Sequence, residues 1–365
     1  MNRASAIELR PGYWISTVIK GYGISGGELR DLGSAAALAD LNAFFESGIT
    51  AIDCGDCDPS FERLLGSFRQ DLHRTHVSAK AQTLRVHTKF NPNLSGHVTP
   101  SQEQVESSID QSLARLGLEA LDLVQFQWPD HGSSACLDVL GYLTLMQAKD
   151  KIQHLGITNA DTTDLRMLMQ SGINLASAQV PFSLIDQRPK GDFANLCKQH
   201  NIALLAYGTL AGGFISHRWL GAADPGYDFE NPLLARHRLV IEAFGGWGLF
   251  QELLLALGGI GARHGITLGG VALRAMHDHA DVASIIMRAP GSPELKGYLR
   301  AFSFSPTVRD REALAAVLAK RSGPDGPVFG IERARADAKR RSTKTIISAL
   351  PSFEGQKKEA RRIDG

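Results

Sequence analysis

The chain has 365 residues, 43% hydrophobic and 21% charged, which excludes a disordered polymer. At about 150 residues per domain the length allows two domains or one large α/β barrel. Lys+Arg number 39 and Asp+Glu 38, so the formal charge of +1 gives no overall attraction to nucleic acid or an anionic membrane.

Short apolar runs alternate with amphipathic ones along most of the chain. The first strand is expected at Ile15–Lys20, followed by glycines at 21, 23, 26 and 27, and the second at Thr50–Asp53. Arg85–Lys89 reads as the third. A helix is expected from Pro100 to Leu116, with Thr99 as cap and Gln102 completing a capping box, and with Val105, Ile109 and Leu113 on one face. Leu121–Gln127, Ile152–Ile157, Leu175–Val180 and Ala203–Tyr207 continue the series. Gly208 to Leu249 is a long excursion of the kind that is functional or lid-like. Ala283–Met287 is the eighth strand, and Arg309 to Lys320 a further helix with Leu314, Val317 and Leu318 on its apolar side. The break at Gly323-Pro324-Asp325-Gly326-Pro327 divides the chain into a barrel, residues 1–322, and an extension, 323–365.

Continuous apolar strands suit a parallel sheet buried on both faces. Eight of them with intervening helices predict an α/β fold, a closed (β/α)8 TIM barrel with a C-terminal helix and a basic tail. An open doubly wound sheet is the rival, but no strand leads into a G-x-G-x-x-G turn. From Ile331 onward ten Lys/Arg face five Asp/Glu, so the tail carries +5 and the remainder −4. This reads as a solvated helix and loose terminus, or as a docking arm.

Four cysteines are too sparse for a disulfide scaffold. Met1 to Trp14 lacks an apolar core of signal-peptide length, and Leu249–Ile260 is read as too short and too polar to cross a bilayer. The expectation is a cytoplasmic protein with reduced thiols, no membrane partner and no nucleic-acid partner.

Barrel enzymes place chemistry at the C-terminal ends of their strands. Asp53, Lys89 and Gln127 end the second, third and fourth strands. Thr158 and Asn159 follow the fifth, Gln179 lies near the end of the sixth, and Tyr207 ends the seventh. Burying Asp or Lys alone is costly, so an Asp53–Lys89 pair is expected. Trp128 can wall a pocket, His131 is a spare acid or base, and Tyr22 lies just past the first strand. Cys54-Gly55-Asp56-Cys57 lacks the second pair a zinc site needs, and Asp53, Asp56 and Asp58 have Lys89 as their neutralising charge. No metal is therefore assigned.

Seven segments in order resemble the aldo-keto reductase family: Gly48–Asp53, Glu62–Gly66, Thr88-Lys89, Asp122–Trp128, Lys151–Asn159, Gln179, and Ala206–Gly213. The resemblance covers about Ile15 to Phe304. It implies NADPH-dependent reduction of a carbonyl, with a Tyr hydroxyl as proton donor, a Lys paired with an Asp, and a His orienting the substrate. Asp53 and Lys89 match the Asp and Lys. The Tyr position falls at Asp58 and the His position at Gln127. An Asp beside a Lys is driven to its ionised form and donates no proton. Gln127 can donate a hydrogen bond but does not titrate. For the cofactor NADP(H), the resemblance implies carboxamide contacts at Thr158, Asn159 and Gln179 and stacking on Tyr207. It also implies a pyrophosphate loop through Gly208, Leu210 and Gly212, and a phosphate contact at Arg288. Ile286 and Met287 stand where the family has a glycine, and its adenine-holding residues are not evident at Pro293–Leu299.

The expected function is an atypical NADP-dependent oxidoreductase on a small carbonyl or imine-like metabolite. The alternatives are a cyclase, dehydratase or isomerase using Asp53, Asp58 and Lys89, or a non-catalytic nucleotide sensor or complex subunit.

Overall fold

The computed structural model describes residues 5–22, 34–54, 59–75, 81–92, 99–128, 134–287 and 291–334. Asp58, His131, Arg288 and all of the tail beyond residue 334 lie outside the described residues.

A β-hairpin opens the fold, β1 (Ala6–Arg10) against β2 (Tyr13–Ser16), turning at Pro11-Gly12. The expected first strand, Ile15–Lys20, is thus two elements. Its first half ends the hairpin, and the barrel begins at β3 (Val18–Gly21). Ser16 makes the break: its hydroxyl donates to the Val18 carbonyl (2.6 Å) and accepts from the amides of Thr50 and Ala51. The elements that follow are α1 (Ser34–Glu46), β4 (Ala51–Asp53), α2 (Pro59–Thr75), β5 (Arg85–Phe90), α3 (Gln102–Leu116), β6 (Leu121–Gln127) and α4 (Ser134–Ala148). After them come β7 (Ile152–Thr158), α5 (Thr162–Gln170), β8 (Leu175–Pro181), α6 (Asp192–Gln199) and β9 (Ala203–Tyr207). The chain then runs through α7 (Pro232–His264), α8 (Leu268–His277), β10 (Ser284–Met287), α9 (Gly291–Ala301) and α10 (Val308–Leu318).

Strands β3 to β10 close into one parallel barrel, with β10 pairing back to β3. The hairpin seals one end. Leu9, Tyr13 and Ile15 pack into a cluster with Ile19, Ala51, Leu123, Ala176, Leu205 and Ile286 of the strands. Helix α3 starts later than the sequence implies. Ser101, not Thr99, is its cap, and Gln104, not Gln102, reaches back to the Ser101 amide (2.9 Å). A Ser side chain two residues nearer the apolar stripe wins because it can bond the Gln104 amide.

The excursion after β9 is only partly loop. It makes 3-10 turns at Ala211–Gly213 and His217–Trp219, then enters α7, which spans 33 residues and breaks its helical geometry at Gly245 and Gly246. The Trp247 indole donates to the Ala222 carbonyl (3.0 Å) and the Gln251 amide to that of Trp219 (2.9 Å), while buried Arg238 pairs with Asp224 (2.6 Å). Helix α7 is long and apolar enough by composition to cross a membrane, which corrects the reading of Leu249–Ile260 in isolation. Its buried face, through Val240, Ile241, Phe244, Phe250, Leu253, Leu254 and Leu257, makes it a core helix of the barrel unit.

The chain divides into two units, Met1–Val328 and Phe329–Gly365. The first runs past the expected break because Ser322 bonds the Phe244 carbonyl (3.0 Å) and Val328 is buried. Only residues 329–334 of the second unit are described.

Candidate active site

Helix α1 ends in a turn whose residue Gly48 has φ +86°, a conformation that favours glycine, and this swings the apolar run Ile49–Ile52 into the barrel. The strand brings Asp53 to its C-terminal end. Lys89 is the fifth residue of β5, on the same face as Arg85 and His87. Both Asp53 and Lys89 are buried. The Lys89 ammonium reaches the two carboxylate oxygens at 2.6 and 2.8 Å. The Gln179 amide, on β8, donates to the same carboxylate (3.2 Å), tying three strand ends together.

A second cluster adjoins it. Asn159 follows β7 with φ +61°, its amide donating to the Gln179 carbonyl (3.0 Å), and its side-chain oxygen accepts from the Tyr207 hydroxyl (2.7 Å). The Thr158 hydroxyl also meets the Gln179 carbonyl (3.3 Å). Gly208 (φ +70°) and Gly212 (φ +63°) begin the excursion, with Leu210 between them. A Cβ at Gly212 would meet the His237 ring at 2.5 Å, so this loop can lie against α7 only as glycine. Gln127 ends β6 half-buried, in register with Thr158.

Asp53, Lys89, Gln127, Thr158, Asn159, Gln179 and Tyr207 therefore all stand at the C-terminal ends of consecutive barrel strands. Trp128 is buried and stacked on Phe126, with centroids 5.6 Å apart. Tyr22 is committed to α1. Its hydroxyl donates to Asp40 (2.9 Å), whose carboxylate also pairs with Lys20 (3.2 Å), and its ring packs on Phe61. Burial, together with the Asp40 carboxylate, pushes the Tyr22 hydroxyl far above its ordinary pKa, so it stays protonated. Cys54 is buried, Cys57 and Asp56 lie outside the described residues, and no group of three metal-ligating side chains occurs among the described residues.

Two residues were missed by the sequence reading. The Arg236 guanidinium of α7 sits 5.9 Å from the Tyr207 ring centre, and no pattern in the excursion marks it. His87 is wholly buried beside Asp53, and burial pushes its pKa down to about 4, so the ring is neutral. Its signal was present, because His87 and Lys89 alternate on one strand face.

A family model described as the Aldo/keto reductase family matches residues 19–318. Among curated proteins, flagellar radial spoke protein 5 of Chlamydomonas reinhardtii is 25% identical over 308 residues, covering 74% of this chain and 56% of that protein. An aldo-keto reductase of Babesia bovis is 29% identical over 163 residues, covering 36% and 57%. Aflatoxin B1 aldehyde reductase member 2 of Rattus norvegicus is 25% identical over 222 residues, covering 59% and 56%. The chain thus spans little more than half the length of these relatives. A crystal structure described as a 2,5-diketo-D-gluconic acid reductase B superposes with a TM-score of 0.61 at 22% identity, covering 87% of this chain and 91% of that one, a likeness of fold.

Proposed function

The chain belongs to the aldo/keto reductase family, and from that premise we propose that it is an oxidoreductase that binds NADP(H) and acts on a small carbonyl or imine-like compound, with the Asp53–Lys89 pair as its proton-handling centre. The observation that carries the reading is the buried contact of Lys89 with both Asp53 oxygens, fixed by Gln179 at the strand ends.

The nicotinamide side fits the residues present. The Gln179 side-chain oxygen is buried without a hydrogen-bond partner, an acceptor that a carboxamide NH2 would satisfy. Gly213, with φ +97° and nothing within 4 Å of an added Cβ, leaves open backbone in the loop assigned to the pyrophosphate. Thr158 and Asn159 would hold the carboxamide with Gln179, Tyr207 would stack, and Gly208, Leu210, Gly212 and Arg288 would take the phosphates. When bound, the cofactor supplies hydride.

The chain's own residues then have to bind the substrate oxygen and protonate it. Gln127 can donate a hydrogen bond to that oxygen without titrating. Lys89 is the described group at the centre that carries a transferable proton, and Asp53 compensates its charge in a buried setting. Asp58, where the resemblance implies a Tyr donor, is a carboxylic acid with an ordinary pKa of about 4 and so is not suited to giving a proton at neutral pH. A protonated imine would enter with its proton already in place, which eases the same deficiency. Arg236 adds positive charge on the Tyr207 side. Location in the cytoplasm accompanies this reading.

Titration with NADPH, followed by nicotinamide fluorescence, tests it. Saturable binding and NADPH consumption with a carbonyl panel are expected, and no binding at millimolar cofactor would sink the proposal. Binding without turnover would favour a non-catalytic subunit instead, a reading supported by the similarity to a flagellar radial spoke protein.

A further inference from the structure

Barrels of this architecture ordinarily fill their axis with layers of branched aliphatic side chains. Here Ile19, Ala51, Leu123, Leu205 and Ile286 do so near the hairpin, but the stretch under the Asp53–Lys89 pair is polar. It holds His87, Gln125 and Ser177, all wholly buried. Register sets His87 beside Asp53 and Lys89 beside Gln125. The Gln125 amide donates to the Ser177 hydroxyl (2.8 Å), and Gly156 between them has no room for a Cβ, which would stand 2.4 Å from both side chains. Among the described polar atoms buried without a partner are Gln125 Oε1, His87 Nε2 and the Tyr13 hydroxyl, with Arg85 Nε on the same strand face as His87. The Tyr13 ring centre is 6.4 Å from that of His87 and 4.4 Å from that of His154, which is only half-buried near the N-terminal end of β7.

Leaving such atoms unpaired forfeits the hydrogen bonds they would make in water and opposes folding. Internal water with two to four polar partners is the ordinary remedy. We propose that water held by Gln125, His87 and Tyr13 forms a proton path along the barrel axis, connecting Lys89 to solvent at the N-terminal end through His154. The inference rests on the reading of Lys89 as the proton-handling group. When a Lys89 N–H bond breaks and its proton goes to the substrate oxygen, the amine lone pair takes a proton from the water beside Gln125. Each further hop breaks one O–H or N–H bond as the next forms. Tyr13 thus ends as it began and His87 as its other tautomer, which exchange of its N–H proton with the adjoining water resets, and the net change is one proton drawn from solvent. A neutral imidazole has one donor and one acceptor nitrogen, as such a relay needs. The charged and titratable groups acting on His87 are Asp53, Lys89, Arg85 and His154.

The test reads proton exchange directly, on cofactor-free protein labelled with 15N-lysine. The Lys89 ammonium signal is identified by its loss in Lys89→Met. His87→Leu and Gln125→Met are each expected to slow exchange of its protons with solvent on the order of tenfold, one hydrogen bond's share of a barrier. Should His87→Leu fail to fold, Gln125→Met and Tyr13→Phe carry the same expectation. Unchanged exchange in the folded variants would overturn the path. The measurement uses neither cofactor nor turnover, so its failure leaves the proposed function standing. Failure of NADPH to bind would leave the exchange result standing.

Discussion

Lys89 and Asp53 are a buried ion pair, so removing one partner leaves the other charged and dry. Lys89→Met is expected to abolish turnover and to cost about 3–5 kcal/mol of stability, read by urea denaturation. Retained activity would remove Lys89 from the mechanism. His87 makes a different prediction. Its folded pKa of about 4 lies below the ordinary 6.5, so as pH falls through this window the unfolded chain takes up the proton first. Stability should therefore be full above about pH 6.5 and fall by up to about 3 kcal/mol toward pH 4. His87→Gln, which does not titrate, should flatten that part of the stability–pH curve. Unchanged slope would mean that the ring is not held neutral. The pair was legible in the sequence because Asp and Lys at the ends of apolar strands demand each other. His87 was passed over because a single His within a strand has many unremarkable explanations.

The barrel strands were legible for a similar reason, since runs such as Leu121–Gln127 and Ala203–Tyr207 are apolar, short and bounded by polar residues. The hairpin was not, because Ile15–Lys20 is one apolar run whose division depends on Ser16 bonding to Thr50 and Ala51, distant in sequence. The same holds for helix packing. Gly66 reads as an ordinary helical glycine, yet a Cβ there would stand 2.3 Å from the Arg115 carbonyl, where α2 meets α3. Backbone cannot give way as a side chain does, so Gly66→Ala should destabilise by about 1–3 kcal/mol despite adding one methyl group. The same change at Gly141, with nothing within 4 Å, should stabilise slightly or leave the midpoint unmoved. Equal denaturation midpoints for the two variants would contradict this account of the α2–α3 contact.

At the scale of the molecule, the proposed function supposes a reductase-like barrel that keeps the ion pair and the amide cluster, with Asp58 and Gln127 at the two positions where the resemblance implies proton transfer and orientation. If the frame is intact, the missing chemistry is restorable, and Asp58→Tyr with Gln127→His should raise NADPH-dependent reduction of an aromatic aldehyde above the wild-type rate. No gain in the double variant, with NADPH still bound, would place the departure in the frame itself. The frame can also be weighed without any reaction. A ligand that binds only the folded chain stabilises it by about 2.7 kcal/mol at a hundred times its Kd. NADPH should therefore raise the melting temperature of the full chain by several degrees, roughly 2 °C per kcal/mol for a large domain. Gln179→Leu removes the unpartnered buried oxygen assigned to the carboxamide together with the amide bonded to Asp53, so its own stability falls and the NADPH-induced rise should shrink. A rise that stays undiminished in Gln179→Leu would mean that affinity comes from the phosphate loop and Arg288, and that Gln179 serves the ion pair alone.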